Sequence, residues 1–317
     1  MTALNKDTTL CISLAGRPSN IGTRFHNYLY DELGLNFAYK AFTTTDLKGA
    51  IGGVRALGIR GCSVSMPFKE AVIPLVDERT ASARAIDSVN TIVNGDGHLT
   101  AYNTDYEATA ELIGRHALDP AVPVLLRGSG GMAKAVVAAF RDAGFGDLTV
   151  LARNEGAGRA LADKYGYRWV RDDPGPGAGI IVNVTPLGMN GPDADALAFP
   201  QAHIEAARAV FDVVASPSET PLVRAARAAG KPVITGAEVI ALQAARQFEL
   251  YTGVPITADQ VERASAFSRE PVDATPELLS DPAAQQRIAT SQREIARGEG
   301  LTPDEVEQSL REHFGKH

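Results

Sequence analysis

Two charged side chains in the first third of the chain have the types and surroundings of an acid–base pair. Lys69 closes the stretch CSVSMPFK (62–69), and Asp105 closes the stretch LTAYNTD (99–105). A lysine exchanges protons with a bound molecule when its surroundings favour the loss of its proton, and a neighbouring aspartate would complete an acid–base dyad. Each residue also has a simpler interpretation, Lys69 as an exposed surface charge and Asp105 as the N-cap of a helix. The pair is a hypothesis that requires the two side chains to be close in the fold.

A glycine-rich turn in the middle of the chain is a candidate dinucleotide site. The stretch VLLRGSGGMAKA (124–135) places Gly128, Gly130 and Ala133 in a G-x-G-x-x-A arrangement, with a predicted strand before it and a predicted helix after it. Glycines let the backbone approach a pyrophosphate, and the start of the helix offers unpaired N–H groups at its positive dipole end. The strand–turn–helix context favours a dinucleotide site. A tight turn without a ligand is the alternative.

The strand after this turn indicates which dinucleotide binds. NAD-specific sites usually end that strand in Asp or Glu, which holds the ribose diol. Here the stretch LTVLARN (148–154) ends in Ala152, Arg153 and Asn154. An arginine at this point can pair with a 2′-phosphate, so NADP is favoured. The alternative is an exposed loop arginine without a ligand.

These candidate residues lie on runs of alternating strands and helices. Apolar periodicity and glycine or proline punctuation predict a strand and loop at 9–16, a helix at 23–35, and then strand 36–43, helix 46–61, strand 61–66 and helix 67–78. The alternation argues for a parallel α/β layer. Lys69 then lies in the first turn of the last helix, where the helix dipole disfavours a positive charge and eases the exchange of its proton.

The pattern continues into a second α/β region and ends in a polar tail. The predicted elements are a hairpin at 88–105, the strand–turn–helix unit at 122–144, strands at 147–154, 179–189, 208–216 and 231–236, a helix at 220–230 and a closing helix at 238–253. After about Phe267 the composition becomes polar and charged, which indicates an appended tail with one or two amphipathic helices. The tail is either a solvated helix pair or a protein-interaction segment.

The composition limits the kinds of partner. A net charge of −7 over 317 residues disfavours broad binding to nucleic acid or to an anionic membrane surface. Two cysteines do not indicate a disulfide framework and are expected as small buried apolar side chains. The chain has neither a signal-peptide pattern nor an apolar run of membrane-spanning length. We expect a cytoplasmic protein, a monomer or homodimer, with a small-molecule substrate and no nucleic-acid, membrane or metal partner.

Several motifs occur together in the order seen in a known family. They are SVSMPFK, IDSVNTIV, LTAYNTD, RGSGGMAKA, NVTPLGM and LQAARQFELYTG. Over about residues 8–267 the chain resembles the shikimate dehydrogenases, in particular their shikimate dehydrogenase-like branch. The resemblance implies an α/β fold with a substrate-binding and catalytic domain at 1–108, on which the segment 237–267 packs back. It further implies a Rossmann-like NADP-binding domain at 109–236, a cleft between the two domains, and a separate tail at 268–317.

The resemblance also assigns an activity and a role to particular residues. It implies reversible hydride transfer between the C3 hydroxyl of shikimate and NADP, with Lys69 and Asp105 as the catalytic residues. It places Ser65, Asn90 and Gln243 on substrate-contacting positions. The positions that it implies for the cofactor are Gly128, Ser129, Gly130, Gly131, Met132, Ala133, Arg153, Thr185, Met189, Val213 and Gly236.

The sequence departs from the family pattern at the substrate end. The family usually has two serines in an S-x-S-P motif for the substrate carboxylate, and the matching positions here are Asn20 and Gly22, followed by Thr23. Asn20 and Thr23 keep the capacity to bind the substrate by hydrogen bonds. Ala215 stands where a tyrosine is common. We expect weak shikimate turnover or a related cyclohexane carboxylate as the true substrate. A cofactor-binding regulatory or partner-binding protein is the second hypothesis, against which the retained lysine and aspartate argue.

Overall fold

Residues 4–269 are described by the computed structural model, and their strands form two separate sheets of six strands each. The strands of the first sheet are β1 (Thr9–Leu14), β2 (Phe37–Phe42), β3 (Gly61–Val64), β4 (Glu78–Arg79), β5 (Thr91–Gly95) and β6 (His98–Tyr102). The strands of the second are β7 (Val124–Arg127), β8 (Leu148–Leu151), β9 (Arg168–Val170), β10 (Ile180–Asn183), β11 (Ala209–Asp212) and β12 (Val233–Thr235). The helices are α1 (Asn20–Glu32), α2 (Leu47–Ala56), α3 (Ala81–Ile86), α4 (Thr104–Arg115), α5 (Gly131–Asp142), α6 (Glu155–Tyr165), α7 (Gln201–Ala206), α8 (Pro221–Ala228), α9 (Gly236–Thr252) and α10 (Ala258–Arg269).

The first sheet is mixed. Its strand order is β2-β1-β3-β5-β6-β4, and β5 runs opposite to the other five strands. The reversal comes from the hairpin between β5 and β6, whose turn residues Asp96 and Gly97 have φ values of 51° and 88°. Two residues with positive φ are what a type I′ turn requires. The predicted parallel layer is therefore correct for β1, β2 and β3, and the hairpin predicted at 88–105 is confirmed.

The second sheet has the strand order of a dinucleotide-binding fold. Its neighbours are all parallel, in the order β12-β11-β10-β7-β8-β9. The direction of winding reverses between β7 and β10, and open parallel sheets bind ligands outside the carboxyl ends of their strands at such a point. The glycine-rich turn follows β7 and therefore lies at this crevice. The strand–turn–helix unit predicted at 122–144 is confirmed as β7 and α5.

The helix predicted for residues 67–78 is wrong. These residues form turns and one short 3-10 helix, Ile73–Leu75. Pro74 lies in the middle of the predicted helix, where it has no N–H to donate and its ring would clash with the preceding turn. Lys69 therefore does not stand at the start of an α-helix of its own.

The end of the described chain has one helix more than the sequence predicts. The closing helix is confirmed as α9, and α10 follows it as far as Arg269. The polar stretch that begins near Phe267 therefore starts inside a helix. The helices predicted further along the tail lie outside the described residues. Between residues 4 and 269, no helix combines the length and apolar character needed to cross a membrane.

Helix α9 connects the two sheets. It begins directly after β12 with a capping box, in which the Thr235 hydroxyl accepts the Glu238 N–H and the Glu238 carboxylate accepts the Thr235 N–H. It ends against the first sheet, where Arg60 Nε donates to the carbonyl of Tyr251 at 3.0 Å. Gly61 permits this approach because a Cβ there would lie 2.3 Å from the Tyr251 ring.

The core between α1, α9 and the first sheet is rich in aromatic rings. It encloses His26, whose ring is fully buried and stacks on Tyr39 with ring centroids 4.4 Å apart. The Phe248 ring of α9 is also nearly parallel to the His26 ring, with the two centroids 6.2 Å apart. Cys11 and Cys62 are both buried and free, as predicted. The aromatic core supports one wall of the site described next, because Tyr39 faces both.

Candidate active site

Lys69 and Asp105 are in contact. Lys69 Nζ donates to Asp105 Oδ2 at 2.6 Å, and the two side chains are 25% and 13% exposed. Asp105 lies in the first turn of α4, but the N-cap of that helix is Asn103, whose side chain accepts the Tyr106 N–H. The backbone carbonyl of Lys69 accepts the Val89 N–H at 2.9 Å, which ties the turn of Lys69 to the start of the hairpin. Neither simpler interpretation, the surface lysine or the capping aspartate, describes this geometry.

A cavity of about 280 Å³ opens beside the pair. Besides Lys69 and Asp105, its wall carries hydroxyl and amide side chains from Ser13, Tyr39, Ser63, Ser65, Asn90, Gln243 and Gln247. The predicted substrate residues Ser65, Asn90 and Gln243 are therefore brought together with the pair. A small cavity with many neutral hydrogen-bonding groups suits a polyhydroxylated molecule.

Two buried amides hold this wall in place. Asn90 Oδ1 accepts the Thr104 N–H at 2.8 Å and the Thr91 hydroxyl at 2.9 Å, which joins the start of α4 to β5. Asn90 Nδ2 lies 3.4 Å from Gln243 Oε1. Gln247 Nε2 donates to the Thr91 hydroxyl at 2.8 Å. Gln247 is not predicted from the sequence, although it lies four residues after Gln243 and hence on the same helix face, a spacing that could have indicated it.

The start of α1 forms another part of the cavity wall, through residues other than those predicted. Arg17, Ser19 and Gly22 line the cavity there, whereas Asn20 and Thr23 are not among its lining residues. The Thr23 hydroxyl is buried and has no hydrogen-bond partner within the described part of the chain. Contact of Asn20 and Thr23 with a substrate therefore stays a prediction. Arg17 and Ser19 are lining residues that the sequence does not predict.

The crevice at the carboxyl ends of β7 and β10 has room for a dinucleotide. It encloses about 580 Å³ and is lined by Gly128, Ser129, Gly130 and Thr185, among others. Gly128 has a φ of 124°, and a Cβ there would lie 2.9 Å from Val184 Cγ2, so a side chain would strain and fill the turn. The start of α5 offers its unpaired N–H groups beside this turn. The residues present therefore fit a pyrophosphate.

A buried polar network shapes the loops at this crevice. Asn183 ends β10 and Asp212 ends β11, and Asn183 Nδ2 donates to Asp212 Oδ1 at 3.0 Å. The Thr185 hydroxyl donates to Asn183 Oδ1 and the Thr220 hydroxyl to Asp212 Oδ2, each at 2.6 Å. Burial raises the pKa of the Asp212 carboxyl. The network fixes the position of Thr185 in the wall of the crevice.

Several predicted cofactor residues do not line the crevice. They are Gly131, Met132, Ala133, Met189, Val213 and Gly236. Ala133 is fully buried in the core beside the second sheet, and Gly236 has no room for a Cβ because the Val213 carbonyl oxygen would lie 2.3 Å from it. Contact of these six residues with a cofactor stays a prediction.

Two exposed arginines line the outer end of the crevice. Arg153 follows β8, as the sequence predicts, and Arg171 follows β9. Arg171 is not predicted from the sequence, because β9 has three residues and too little periodicity to be recognised.

The chain is similar to proteins of one family over most of its length. It is 57% identical over 267 residues to a shikimate dehydrogenase-like protein of Haemophilus influenzae, which covers 84% of this chain and 98% of that protein. It is 36% identical over 260 residues to the NADP(+) shikimate dehydrogenase of Chlorobaculum tepidum, covering 75% and 88% of the two chains. The solved shikimate 5-dehydrogenase of Thermus thermophilus in complex with NADP(H) and shikimate superposes with a TM-score of 0.75 at 30% identity, covering 82% and 99%.

The two sheets and their sites define a class of α/β protein that combines a Rossmann-type dinucleotide crevice with a lysine–aspartate pair in a separate small cavity. Residues 20–92 match the family model of the shikimate dehydrogenase substrate binding domain. The chain belongs to the shikimate dehydrogenase family.

Proposed function

We propose that the protein is an NADP-dependent oxidoreductase of the shikimate dehydrogenase type. It transfers a hydride reversibly between NADP and the C3 hydroxyl of shikimate or of a related cyclohexane or cyclohexene carboxylate. The observation that carries this proposal is the Lys69–Asp105 contact in the wall of a cavity rich in hydroxyl and amide groups. The ligands of the Thermus thermophilus relative, NADP(H) and shikimate, support the same pair of ligands here.

Lys69 moves the proton in this reaction. In the reducing direction its ammonium group gives a proton to the oxygen that becomes the hydroxyl, and in the oxidising direction the neutral amine takes that proton back. Asp105 accepts one N–H of Lys69 Nζ at 2.6 Å and holds the nitrogen at the cavity wall. NADP supplies or accepts the hydride when it is bound.

The charges of the cavity favour a substrate with one carboxylate. Of the side chains in its wall, those of Arg17, Lys69 and Asp105 carry charge. Lys69 and Asp105 are paired with each other, whereas Arg17 has no hydrogen bond or ion pair with any residue between 4 and 269. A guanidinium can bind a carboxylate through two parallel hydrogen bonds. In this proposal Arg17, with the neighbouring Ser19, takes the place of the two serines in the family motif.

Steady-state assays test the reaction over shikimate, quinate and amino-shikimate, with NADP and NAD in parallel. Lys69→Met should lower kcat by about 10²-fold to 10⁴-fold, the usual contribution of a general acid–base group. The dissociation constant of NADPH, measured by fluorescence, should stay unchanged because Lys69 is not in the crevice lining. Lys48→Met, on the exposed side of α2, is the matched control and should behave as wild type.

One result would replace this proposal with the second hypothesis. If none of the three substrates turns over with either cofactor, while NADPH still binds, the chain is a cofactor-binding protein with little catalysis. A loss of turnover in Lys48→Met equal to that in Lys69→Met would also remove the special role of Lys69.

A further inference from the structure

The residues that come directly after the lysine–aspartate pair in the chain both bind helix α5. Lys134 Nζ donates to Oε1 of Glu70, the residue after Lys69, at 2.5 Å. The hydroxyl of Tyr106, the residue after Asp105, donates to Oδ2 of the last residue of α5 at 2.7 Å. Helix α5 follows the glycine-rich turn of the second sheet. Each member of the pair therefore has a chain neighbour in contact with the helix that begins at the dinucleotide crevice.

The two contacts lie at opposite ends of α5. Lys134 is in its first turn, and Asp142 is its last residue. These positions are eight residues apart, so the contacts are separated by about 12 Å along the helix axis. A helix held at one point can still change direction about that point, whereas two separated points fix its direction as well. The two contacts therefore define the place and the direction of α5 relative to the turn of Lys69 and the start of α4.

Both α5 partners carry the charge that their own helix disfavours. A helix dipole opposes a cation in the first turn and an anion at the last residue, and Lys134 and Asp142 are in those places. Arg141 Nε donates to Asp142 Oδ1 at 2.7 Å, which leaves Oδ2 for the Tyr106 hydroxyl. The two charges do not stabilise α5 by itself, and their contacts with Glu70 and Tyr106 account for them better.

Apolar packing alone would leave this arrangement less defined. Ala108 and Leu112 of α4 share a buried cluster with Val136 and Phe140 of α5, and this cluster holds the two helices together. The burial of apolar surface has no preferred direction. A hydrogen bond is limited in both length and angle, so the contacts at the two ends restrict the slide and tilt that packing permits.

We propose that Glu70 and Tyr106 are positioning residues that mount α5 on the lysine–aspartate pair. Through this mount they set the place of the glycine-rich turn, and of a dinucleotide bound there, relative to Lys69. Precise placement matters because a displacement of about 1 Å between reacting groups can cost about 10²-fold in rate. The effect on turnover rests on the proposed function, whereas the mount itself does not.

Hydrogen exchange of the protein without ligands tests the mount directly. In the double variant Glu70→Gln, Tyr106→Phe, the amides of α5 should exchange about threefold to tenfold faster than in wild type, because an ion pair and a hydrogen bond are lost together. Lys164→Gln is the matched control. Lys164 of α6 pairs with Asp87 at the end of α3 at 2.8 Å, so this variant also removes an ion pair between the regions of the two sheets. It should leave the exchange of α5 as in wild type.

Steady-state kinetics then test the consequence for the reaction. Glu70→Gln and Lys134→Gln should each lower kcat by about threefold to tenfold, a modest effect because the contact is partly exposed. The dissociation constant of NADPH should stay within a factor of about two. Both residues act through one contact, so the variant with both changes should be no slower than either single variant. Lys164→Gln should keep the kcat of wild type.

Different results would overturn the two parts of this inference. The mount is wrong if the α5 amides of the Glu70→Gln, Tyr106→Phe variant exchange no faster than those of Lys164→Gln. The positioning role is wrong if kcat stays at the wild-type value, if NADPH weakens as much as kcat falls, or if the effects of Glu70→Gln and Lys134→Gln multiply. A wild type without turnover would contradict the proposed function, and hydrogen exchange would still decide whether the mount exists.

Discussion

The burial of His26 should lower the free energy of unfolding of the protein in acid. Burial lowers the pKa of its imidazole from 6.5 to about 3, and the nearby Gln247 amide offsets only part of this effect. In the unfolded chain the ring takes up a proton as the pH falls below about 6.5, whereas in the folded chain it stays neutral down to about pH 3. Stability from this residue is therefore complete above pH 6.5 and falls progressively between pH 6.5 and pH 3.

The size of the effect follows from this pKa difference. Each pH unit in that window costs about 1.4 kcal/mol, so about 3 kcal/mol is lost between pH 7.5 and pH 4.5. His26→Phe keeps a ring against Tyr39 but removes the titrating group. Between pH 7.5 and pH 4.5, the free energy of unfolding of wild type should therefore fall by about 3 kcal/mol more than that of the His26→Phe variant.

Urea denaturation at the two pH values measures this difference. Phe248→Leu is the control, because it removes packing around His26 without removing a titrating group and should cost the same at both pH values. If wild type and His26→Phe lose equal stability between pH 7.5 and pH 4.5, His26 is not the buried neutral group described above.

Three further predictions concern the sites. Asp105→Asn keeps the shape of the side chain but removes the charge that holds Lys69, so kcat should fall by about 10²-fold, with KM for NADP unchanged in steady-state assays. Arg17→Gln should raise KM for a carboxylate substrate by about tenfold and leave kcat within a factor of about three; an equal loss for an uncharged analogue would contradict the role of Arg17. Gly128→Ala should cost about 1–3 kcal/mol in urea denaturation and weaken NADPH, because its φ of 124° and the 2.9 Å contact strain any side chain. Gly130→Ala, where a Cβ meets nothing within 4 Å, is the control for stability, and an equal loss of stability there would refute this explanation.

The alternation of strands and helices is readable from the sequence because each element has its own period and its own stop signal. The glycine-rich turn is readable for the same reason, since few other functions need glycines between a strand and a helix. The prediction of a helix at 67–78 is wrong because it gives more weight to the spacing of apolar residues than to Pro74. In the molecule, Pro74 removes a helix hydrogen bond and its ring clashes with the preceding turn.

The substrate end of the site is harder to predict, because a helix turns by about 100° per residue. Ser19 and Gly22 line the cavity, while Asn20 and Thr23 lie one position further along. A motif counted correctly along the chain can name the neighbours of the residues that line the cavity, and contact of Asn20 and Thr23 with a substrate stays a prediction. Arg17 lies in a loop, where no periodicity shows the direction of a side chain.

One consequence of α9 concerns movement between the two halves of the molecule. Its first residue, Gly236, is packed against the Val213 carbonyl at the second sheet, and its last turn is tied to Arg60 of the first sheet. Between Gly236 and Gln243 the helix rises by about 10 Å, a length that cannot change without breaking its hydrogen bonds. The two sheets therefore cannot move apart along α9 while this helix stays intact. The crevice and the cavity accordingly keep a constant spacing along this helix.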